Sequence, residues 1–199
     1  MTQVLPNQSS ATTNESLSSG RLIILTGPSG VGKGTLLERL RERHPKLYFS
    51  ISVTTRSPRP DEIHGKDYYF VSRNDFEQLV ANSELLEWAE FAGNYYGTPR
   101  EPVEREISLG KWVLLEIELE GARKIHKIFP SAIRIFIRPP SLKELEQRLR
   151  DRGKDSKEAI ARRLRRAEEE IKAAGEFDFQ ITNDNIEAAL KQLENILFT

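Results

Sequence analysis

Short apolar runs rich in β-branched residues alternate with segments of helical periodicity along most of the chain. The apolar runs that predict strands are Leu22 to Thr26, Trp112 to Ile117, Ile133 to Ile137, and Phe179 to Ile181. Runs that are apolar on both faces are typical of buried strands, and their alternation with helices predicts a parallel sheet with crossover helices. The fold class expected from the pattern is therefore α/β.

Several helices have recognisable ends. Four starts resemble capping boxes, in which a small polar residue is followed by an acid three residues later. They are Ser72 with Asp75, Thr98 with Pro99 and Glu101, Ser141 with Glu144, and Asp155 with Glu158. Gly110 and Gly153 are predicted helix stops, since glycine adopts the left-handed conformation that ends many helices.

The chain divides into a tail, a core, an insertion and a lid. Residues 1–19 are rich in Ser, Thr, Asn and Gln, which predicts a disordered tail. Residues 47–97 contain short aromatic-rich strand candidates, which predict a small β-rich insertion at about 52–98. The core is expected at 20–51 and 99–199, and the lid at about 140–172.

The start of the chain does not resemble a secretory or organellar targeting segment, which would need a basic start with an apolar run, or arginines. Apolar runs also stay well short of the roughly 20 residues of a membrane span. These observations predict a cytoplasmic protein with no membrane partner.

Composition narrows the chemistry further. The 199 residues carry 30 Lys and Arg against 30 Asp and Glu, a balance that argues against a broad nucleic-acid-binding surface. The absence of cysteine excludes disulfides, thiolate nucleophiles and iron–sulfur clusters. The histidines, His44, His64 and His126, are scattered and make a poor metal set.

A glycine-rich loop follows the first apolar run and precedes a helical pattern. In such a loop, backbone N–H groups turn inward around a phosphate, the helix N-terminus adds its dipole, and a lysine reaches the outer phosphates. The predicted nucleotide-binding residues are Gly27, Pro28, Ser29, Gly30, Val31, Gly32, Lys33, Gly34 and Thr35.

The loop departs from the usual pattern at one position. Gly34 stands where a magnesium-binding hydroxyl is expected, and Thr35 follows it. The same Gly-Lys-Gly-Thr variant occurs in nucleotide kinases such as adenylate kinases. Thr35 is therefore the candidate contact for Mg²⁺.

The phosphate loop alone leaves the reaction open, because GTPases, motor ATPases and small-molecule kinases share it. A GTPase should carry an Asn-Lys-x-Asp motif, which this chain lacks. A motor ATPase remains possible at this point, since the strand candidate near residue 116 ends in Glu116, Glu118 and Glu120.

A second set of motifs supplies the acceptor site. The strings SVTTRSPRPDEIHGKDYYFVS and LLEWAEFAGNYYGTP, then LLEIELEGA, FIRPPS, RLRDRG and TND, follow in order over about residues 21–198. This series closely resembles the guanylate kinases. The resemblance implies a P-loop kinase fold with a parallel sheet core flanked by helices, a small β-rich GMP-binding insertion and a helical lid.

The resemblance implies a clamp for the phosphate of GMP. Its members would be Arg56, Arg59, Tyr68 and Tyr96. Guanidinium forks and phenol hydroxyls suit a dianion that must be held in line for attack.

The resemblance also implies a base-reading group. Glu87 would accept hydrogen bonds from N1–H and the exocyclic amine of guanine, whereas adenine presents an acceptor at N1. Such a mismatch leaves buried polar groups unpaired, which supports discrimination of about 10⁴ or more. Ser52 and Thr98 would add hydrogen bonds to the base.

A pair of glutamates stands where the family usually has aspartates two residues apart. Glu116 and Glu118 share one face of the predicted strand end. One would hold Mg²⁺ through water and the other would contact the guanine amine, and Glu116 is the metal candidate.

The predicted lid is strongly basic. Residues 148–166 contain nine Lys and Arg against three acids. Helical phase and the family resemblance together favour Arg148, Arg152 and Arg163 as arginines that close on ATP. The remaining arginines, Arg162, Arg165 and Arg166, are interpreted as surface charges. Asn183 resembles the family's residue near the adenine.

The resemblance thus implies the reaction ATP + GMP to ADP + GDP, with ATP and Mg²⁺ as cofactors, GMP and dGMP as acceptors, and Lys33 and the lid arginines as catalytic residues. Two alternatives remain. One is a silent guanylate-kinase-like module that binds phosphopeptides, and the other is a kinase for another nucleotide.

Overall fold

Nine strands and seven α-helices make up the part of the chain that the computed structural model describes, which is residues 20–91, 93–151, 153 and 156–198. The strands are β1 (Arg21–Thr26), β2 (Tyr48–Phe49), β3 (Val53–Thr54), β4 (Tyr69–Phe70), β5 (Leu85–Phe91), β6 (Asn94–Pro99), β7 (Trp112–Glu116), β8 (Ile133–Arg138) and β9 (Phe179–Thr182). The helices are α1 (Lys33–Arg43), α2 (Arg73–Ala81), α3 (Arg100–Ser108), α4 (Leu119–Ile128), α5 (Leu142–Asp151), α6 (Lys157–Lys172) and α7 (Ile186–Phe198), and a short 3₁₀ helix follows α6 at Ala173–Glu176.

The larger sheet has the order β2-β7-β1-β8-β9, and every pairing in it is parallel. The parallel sheet predicted from the apolar runs is therefore confirmed. Parallel strands end at the same edge, so the loops after β1 and β7 lie side by side. This places the phosphate loop beside the glutamates that follow β7.

Helices cover both faces of this sheet. On one face, Leu36 and Leu40 of α1 and Leu193 of α7 are buried against Ile23 of β1. The opposite face carries a second cluster of buried residues from α3 and α4. Burial on both faces explains why the central strands are continuous apolar runs.

The last strand differs from that expectation. In β9, Ile181 is fully buried, but Phe179 is 43% exposed. The strand lies at the edge of the sheet, where only part of it packs against helices. The prediction of a strand covered on both faces is thus wrong for β9.

The smaller sheet has the order β4-β3-β6-β5 and is largely antiparallel. Phe76 of α2 is fully buried beneath it, together with Val53 and Leu85. β2 belongs to the larger sheet, so the first part of the aromatic-rich segment lies in the core and the small sheet begins at β3.

The helix ends were predicted with mixed success. The capping box of Ser72 and Asp75 is present at the start of α2, and Ser141 Oγ accepts a hydrogen bond from the Glu144 backbone N–H at 3.1 Å. Thr98 is not a cap, because it lies within β6 and Pro99 is the N-cap of α3.

The predicted start of α6 is shifted by one residue. Its N-cap is Ser156, whose hydroxyl accepts from the Ala159 N–H, while Asp155 lies outside the described residues. Gly110 and Gly153 have φ angles of 78° and 62° just after α3 and α5, as expected of helix stops.

The lid helices α5 and α6 pack on each other through Leu145, Leu149 and Ile160. Leu149 also contacts the phosphate loop, since a Cβ added at Gly30 would lie 2.8 Å from its Cδ2 atom. In the part of the chain that the structure describes, no helix is long and apolar enough to cross a membrane.

Candidate active site

The phosphate loop joins β1 to α1 in a conformation that requires glycine. Gly32 is the N-cap of α1 with φ 99°, in the left-handed region. A Cβ there would also lie 2.5 Å from the amide nitrogen of Asn183. The strand, loop and helix thus have the arrangement that presents backbone N–H groups to a phosphate.

Lys33 begins α1 and is only 8% exposed. Its Nζ donates hydrogen bonds to the carbonyl oxygens of Gly27 at 2.6 Å and Pro28 at 3.4 Å. The loop carbonyl oxygens therefore hold the ammonium group beside the loop, where it can reach a bound phosphate.

Two other predicted residues brace this loop. Asn183 Nδ2 donates to the Val31 carbonyl oxygen at 2.8 Å, and the Arg148 guanidinium donates to the Asn183 carbonyl oxygen at 3.1 Å. Arg148 thereby ties lid helix α5 to the loop and to the end of β9.

The candidate magnesium contact lies on the first turn of α1. Both Gly34 and Thr35 are exposed, and a Cβ added at Gly34 would meet no atom within 4 Å. The space for a hydroxyl at position 34 therefore exists.

A cleft of about 380 Å³ opens between the two sheets and the lid. It brings together half of the predicted site residues, including nearly all of those predicted to bind the acceptor. The predicted residues that line it are Ser29, Lys33, Ser52, Arg56, Arg59, Tyr68, Glu87, Tyr96, Glu116, Glu118 and Arg163. Of the other predicted side chains, Thr35, Thr98, Arg148 and Asn183 lie outside this described lining, and Arg152 is outside the described residues.

The predicted phosphate clamp is organised by an acid that sequence reasoning missed. Glu62 accepts a hydrogen bond of 2.8 Å from the Arg56 guanidinium and another of 2.8 Å from the Arg59 backbone N–H. These contacts hold the pKa of Glu62 below its usual value. Its position six residues after Arg56, in the same motif, was the available signal.

Arg56 is also enclosed by aromatic rings. Its guanidinium carbon lies 5.4 Å from the centroid of Tyr68 and 5.8 Å from that of Phe70. Burial raises the pKa of Tyr68 to about 12, so its phenol keeps its proton and remains a hydrogen-bond donor at neutral pH. Arg59, by contrast, has a side chain that is 67% exposed.

Glu87 is a buried carboxylate that lines the same cleft, and it is 8% exposed. Its Oε1 accepts a hydrogen bond of 2.7 Å from Thr98 Oγ1 on the neighbouring strand. Burial raises the pKa of Glu87, and the Thr98 hydroxyl and Lys124 oppose that rise. The Thr98 hydroxyl is therefore engaged by the Glu87 carboxylate.

Gly121 is a second residue that sequence reasoning missed. A Cβ at this position in α4 would lie 2.7 Å from Glu87 Oε2. The absence of a side chain thus makes room for the carboxylate, and a glycine directly after Glu120 in the glutamate-rich motif was the available signal.

Glu116, which ends β7, and Glu118, which follows it, have different surroundings. Glu116 is open to the cleft, but the protein around it raises its pKa, and Lys33 opposes that rise. Glu118 is the N-cap residue of α4, and its Oε2 accepts a hydrogen bond of 3.1 Å from Arg166.

Arg166 is an exposed charge, as expected, and it also has partners that helical phase could not identify. It contacts Glu118 at the edge of the cleft, and its guanidinium carbon lies 4.4 Å from the Phe91 ring centroid. Both partners are distant from it in sequence. Its side chain remains 43% exposed.

Among the described residues, no group of three or more His, Cys, Asp or Glu side chains forms a candidate metal cluster. The cleft instead has a cationic region around Lys33, Arg56 and Arg163, and a carboxylate at Glu87. Cations and carboxylates in one lining suit a molecule that carries both phosphate and hydrogen-bond donors.

The fold and the cleft together define a P-loop kinase of the nucleoside monophosphate class. The chain belongs to the guanylate kinase family, because the family model described as "Guanylate kinase" matches residues 19–199. It is 65% identical over 198 residues to the guanylate kinase of Trichormus variabilis and 64% identical to that of Nostoc sp., with full coverage of each chain.

A solved structure shows the same architecture. The crystal structure of guanylate kinase from Anaplasma phagocytophilum aligns with a TM-score of 0.73 at 38% identity, covering 90% of this chain and 85% of that one. The predicted fold and family resemblance are confirmed.

Proposed function

We propose that this protein transfers the γ-phosphoryl group of ATP to GMP, giving ADP and GDP. The observation that carries the proposal is the single cleft that joins the phosphate loop at Lys33, the clamp at Arg56 and the buried carboxylate of Glu87. Membership of the guanylate kinase family supports the same activity.

Glu87 selects the acceptor base. With Oε1 partly satisfied by Thr98, the carboxylate can still accept from the adjacent N1–H and amine donors of guanine. Adenine would place an acceptor against this buried carboxylate, which leaves both groups unpaired. Ser52 lines the same cleft and supplies a further hydrogen bond to the base.

The clamp fixes the GMP phosphate. Arg56, held by Glu62 and enclosed by two rings, presents its remaining guanidinium donors to the phosphate oxygens. Tyr68 and Tyr96 donate through their hydroxyls, and Arg59 closes from the exposed side. Orientation of the attacking oxygen is the main contribution of these residues to the rate.

Phosphoryl transfer needs no covalent intermediate on the protein. An oxygen of the GMP phosphate attacks the γ-phosphorus, and the bond from that phosphorus to the bridging oxygen of ADP breaks. Because the attacking oxygen is already anionic, no general base is required. Lys33, Arg163, Arg148 and Arg152 neutralise the charge on the transferring group.

Mg²⁺ bound with ATP would neutralise phosphate charge during transfer. The residues proposed to face it are Thr35 and Glu116, which acts through water. Carboxylate and hydroxyl oxygens suit this hard cation, and it usually keeps several water ligands.

Other proposals concern a second acceptor, the adenine subsite and the cellular location. We expect dGMP to be a second acceptor, because the proposed contacts involve base and phosphate only. Asn183 lies beside the adenine subsite through its contact with the phosphate loop. We place the enzyme in the cytoplasm and in purine nucleotide metabolism, with no nucleic-acid or membrane partner.

The phosphopeptide-binding alternative gains no support. Such a module would use the clamp without the phosphate loop, whereas this chain keeps the loop, Lys33 and the lid contact of Arg148.

An assay of ADP release from ATP with GMP, AMP, UMP or CMP tests the proposal, and we expect GMP to be strongly preferred. ATP turnover that no nucleotide stimulates, combined with tight phosphopeptide binding, would support the module instead.

A further inference from the structure

Arg166 makes three contacts at the border of the active-site cleft. Its Nε donates to Glu170 Oε1 at 2.8 Å, and a terminal nitrogen donates to Glu118 Oε2 at 3.1 Å. Its guanidinium carbon lies 4.4 Å from the centroid of the Phe91 ring. No role in the phosphoryl transfer described above requires this residue.

The three partners belong to different parts of the fold. Glu170 lies one turn further along lid helix α6, Glu118 is the N-cap of α4 in the core, and Phe91 ends β5 of the smaller sheet. Arg166 is therefore a point where lid, core and small sheet meet. The cavity at this junction, about 410 Å³, shares Ser29, Phe91, Glu118 and Arg163 with the active-site cleft.

Two contacts other than that with Glu118 fix the orientation of the Arg166 guanidinium group. The Glu170 side chain is only 7% exposed and fixes Nε, while the Phe91 ring covers one face of the planar group. A guanidinium group oriented in this way directs a terminal N–H donor to Glu118. The Arg166 contact thus restricts the orientation of the Glu118 carboxylate.

The contact leaves Glu118 able to bind a ligand. Arg166 uses Oε2, and a carboxylate has a second oxygen with its own lone pairs. Since Glu118 lines the cleft together with Glu87, this second acceptor is available to a donor on the edge of the bound base.

We propose that Arg166 is a positioning residue for acceptor specificity, which orients Glu118 toward the exocyclic amine of guanine. This inference rests on the proposed phosphorylation of GMP. It assigns to a lid arginine a function in base recognition, in addition to the phosphate contacts assigned to the other lid arginines.

The test compares GMP with IMP, whose base lacks only the exocyclic amine. Steady-state kcat/KM is measured for both acceptors in the wild type, Arg166→Ala and Arg166→Lys. We expect Arg166→Ala to lower the GMP-to-IMP ratio about three- to tenfold, a modest effect because the ion pair is partly exposed. The KM for ATP should stay unchanged. Arg166→Lys should recover part of the ratio, since it keeps the charge.

Two further variants separate positioning from a general effect on the lid. Arg165→Ala removes the neighbouring exposed arginine and should leave the ratio unchanged. In a Glu118→Ala background, Arg166→Ala should cause no further fall in the ratio, because the proposed route runs through Glu118.

The outcomes distinguish the two proposals. If the wild type does not phosphorylate GMP, the proposed function fails. If it does, but Arg166→Ala lowers GMP and IMP turnover equally or lowers the ratio further in the Glu118→Ala background, the positioning role of Arg166 is overturned.

Discussion

Thr98 Oγ1 donates a 2.7 Å hydrogen bond to Glu87 Oε1 across the antiparallel pair of β5 and β6. Both residues are nearly buried, at 1% and 8% exposure. The strand pair therefore fixes one oxygen of the carboxylate, and Gly121 makes room for the other. This arrangement presets the carboxylate that is proposed to read the base, and the first predictions follow from it.

Gly121→Ala should displace the Glu87 carboxylate without unfolding the protein, because the added Cβ meets the end of a side chain and no backbone atom. Misplacement of a positioning group by about 1 Å costs on the order of 10²-fold, so kcat/KM for GMP should fall by about that factor. The KM for ATP should hold. Gly175→Ala, where a Cβ meets no atom within 4 Å, is the matched control. Unchanged GMP kinetics in Gly121→Ala would show that the close approach of Gly121 to Glu87 does not affect GMP binding or turnover.

Glu87→Gln should stabilise the folded protein at neutral pH. Burial raises the pKa of Glu87 in the folded state, so ionisation on raising the pH costs the folded state more than the unfolded chain. The Tm of the variant should exceed that of the wild type above the raised pKa, and the difference should vanish below the ordinary glutamate value of about 4.3. Thermal unfolding from pH 4 to pH 8 measures this, with exposed Glu38→Gln as control. A Tm difference that does not vary with pH would contradict the assignment.

Arg56→Lys should raise the KM for GMP by about tenfold, because lysine cannot keep the ion pair with Glu62, the ring contacts and a forked phosphate contact together. Arg59→Lys should have a smaller effect, since that side chain is largely exposed. Titration of each variant with GMP at saturating ATP gives the ranking. The reverse order would mean that Arg56 serves the fold more than the phosphate.

Lys33→Ala should lower kcat by about 10² to 10³, the usual effect of losing one cation that stabilises the transferring group. GMP binding, measured by calorimetry without ATP, should be nearly unchanged. Lys191→Ala, on the exposed face of α7, should behave as the wild type. Near wild-type kcat in Lys33→Ala would remove the lysine from the mechanism.

The local parts of this account could be predicted from the sequence. The phosphate loop, the buried strands and the Ser72 cap are encoded by residues close together in the chain, so pattern and spacing identify them. The acceptor residues came from a resemblance to a family, and the structure gathers most of them in one cleft.

Contacts between distant segments could not be predicted in the same way. Arg166 and Glu118 are 48 residues apart, and helical phase says only which side of a helix faces its own core. The role of Thr98 was also misjudged as a helix cap, because the cap pattern is local while its hydrogen bond to Glu87 depends on strand pairing. The exposure of β9 depends likewise on its position at the sheet edge.

Selection of guanine by Glu87, in a cleft that also holds the phosphate loop, is the proposal on which the others depend. The ratio of kcat/KM for GMP to that for AMP, in the wild type and in Glu87→Gln, tests it. We expect a large ratio for the wild type, a fall of about 10²-fold or more in the variant, and an unchanged KM for ATP. A wild-type ratio near one, or a ratio that Glu87→Gln leaves intact, would contradict it.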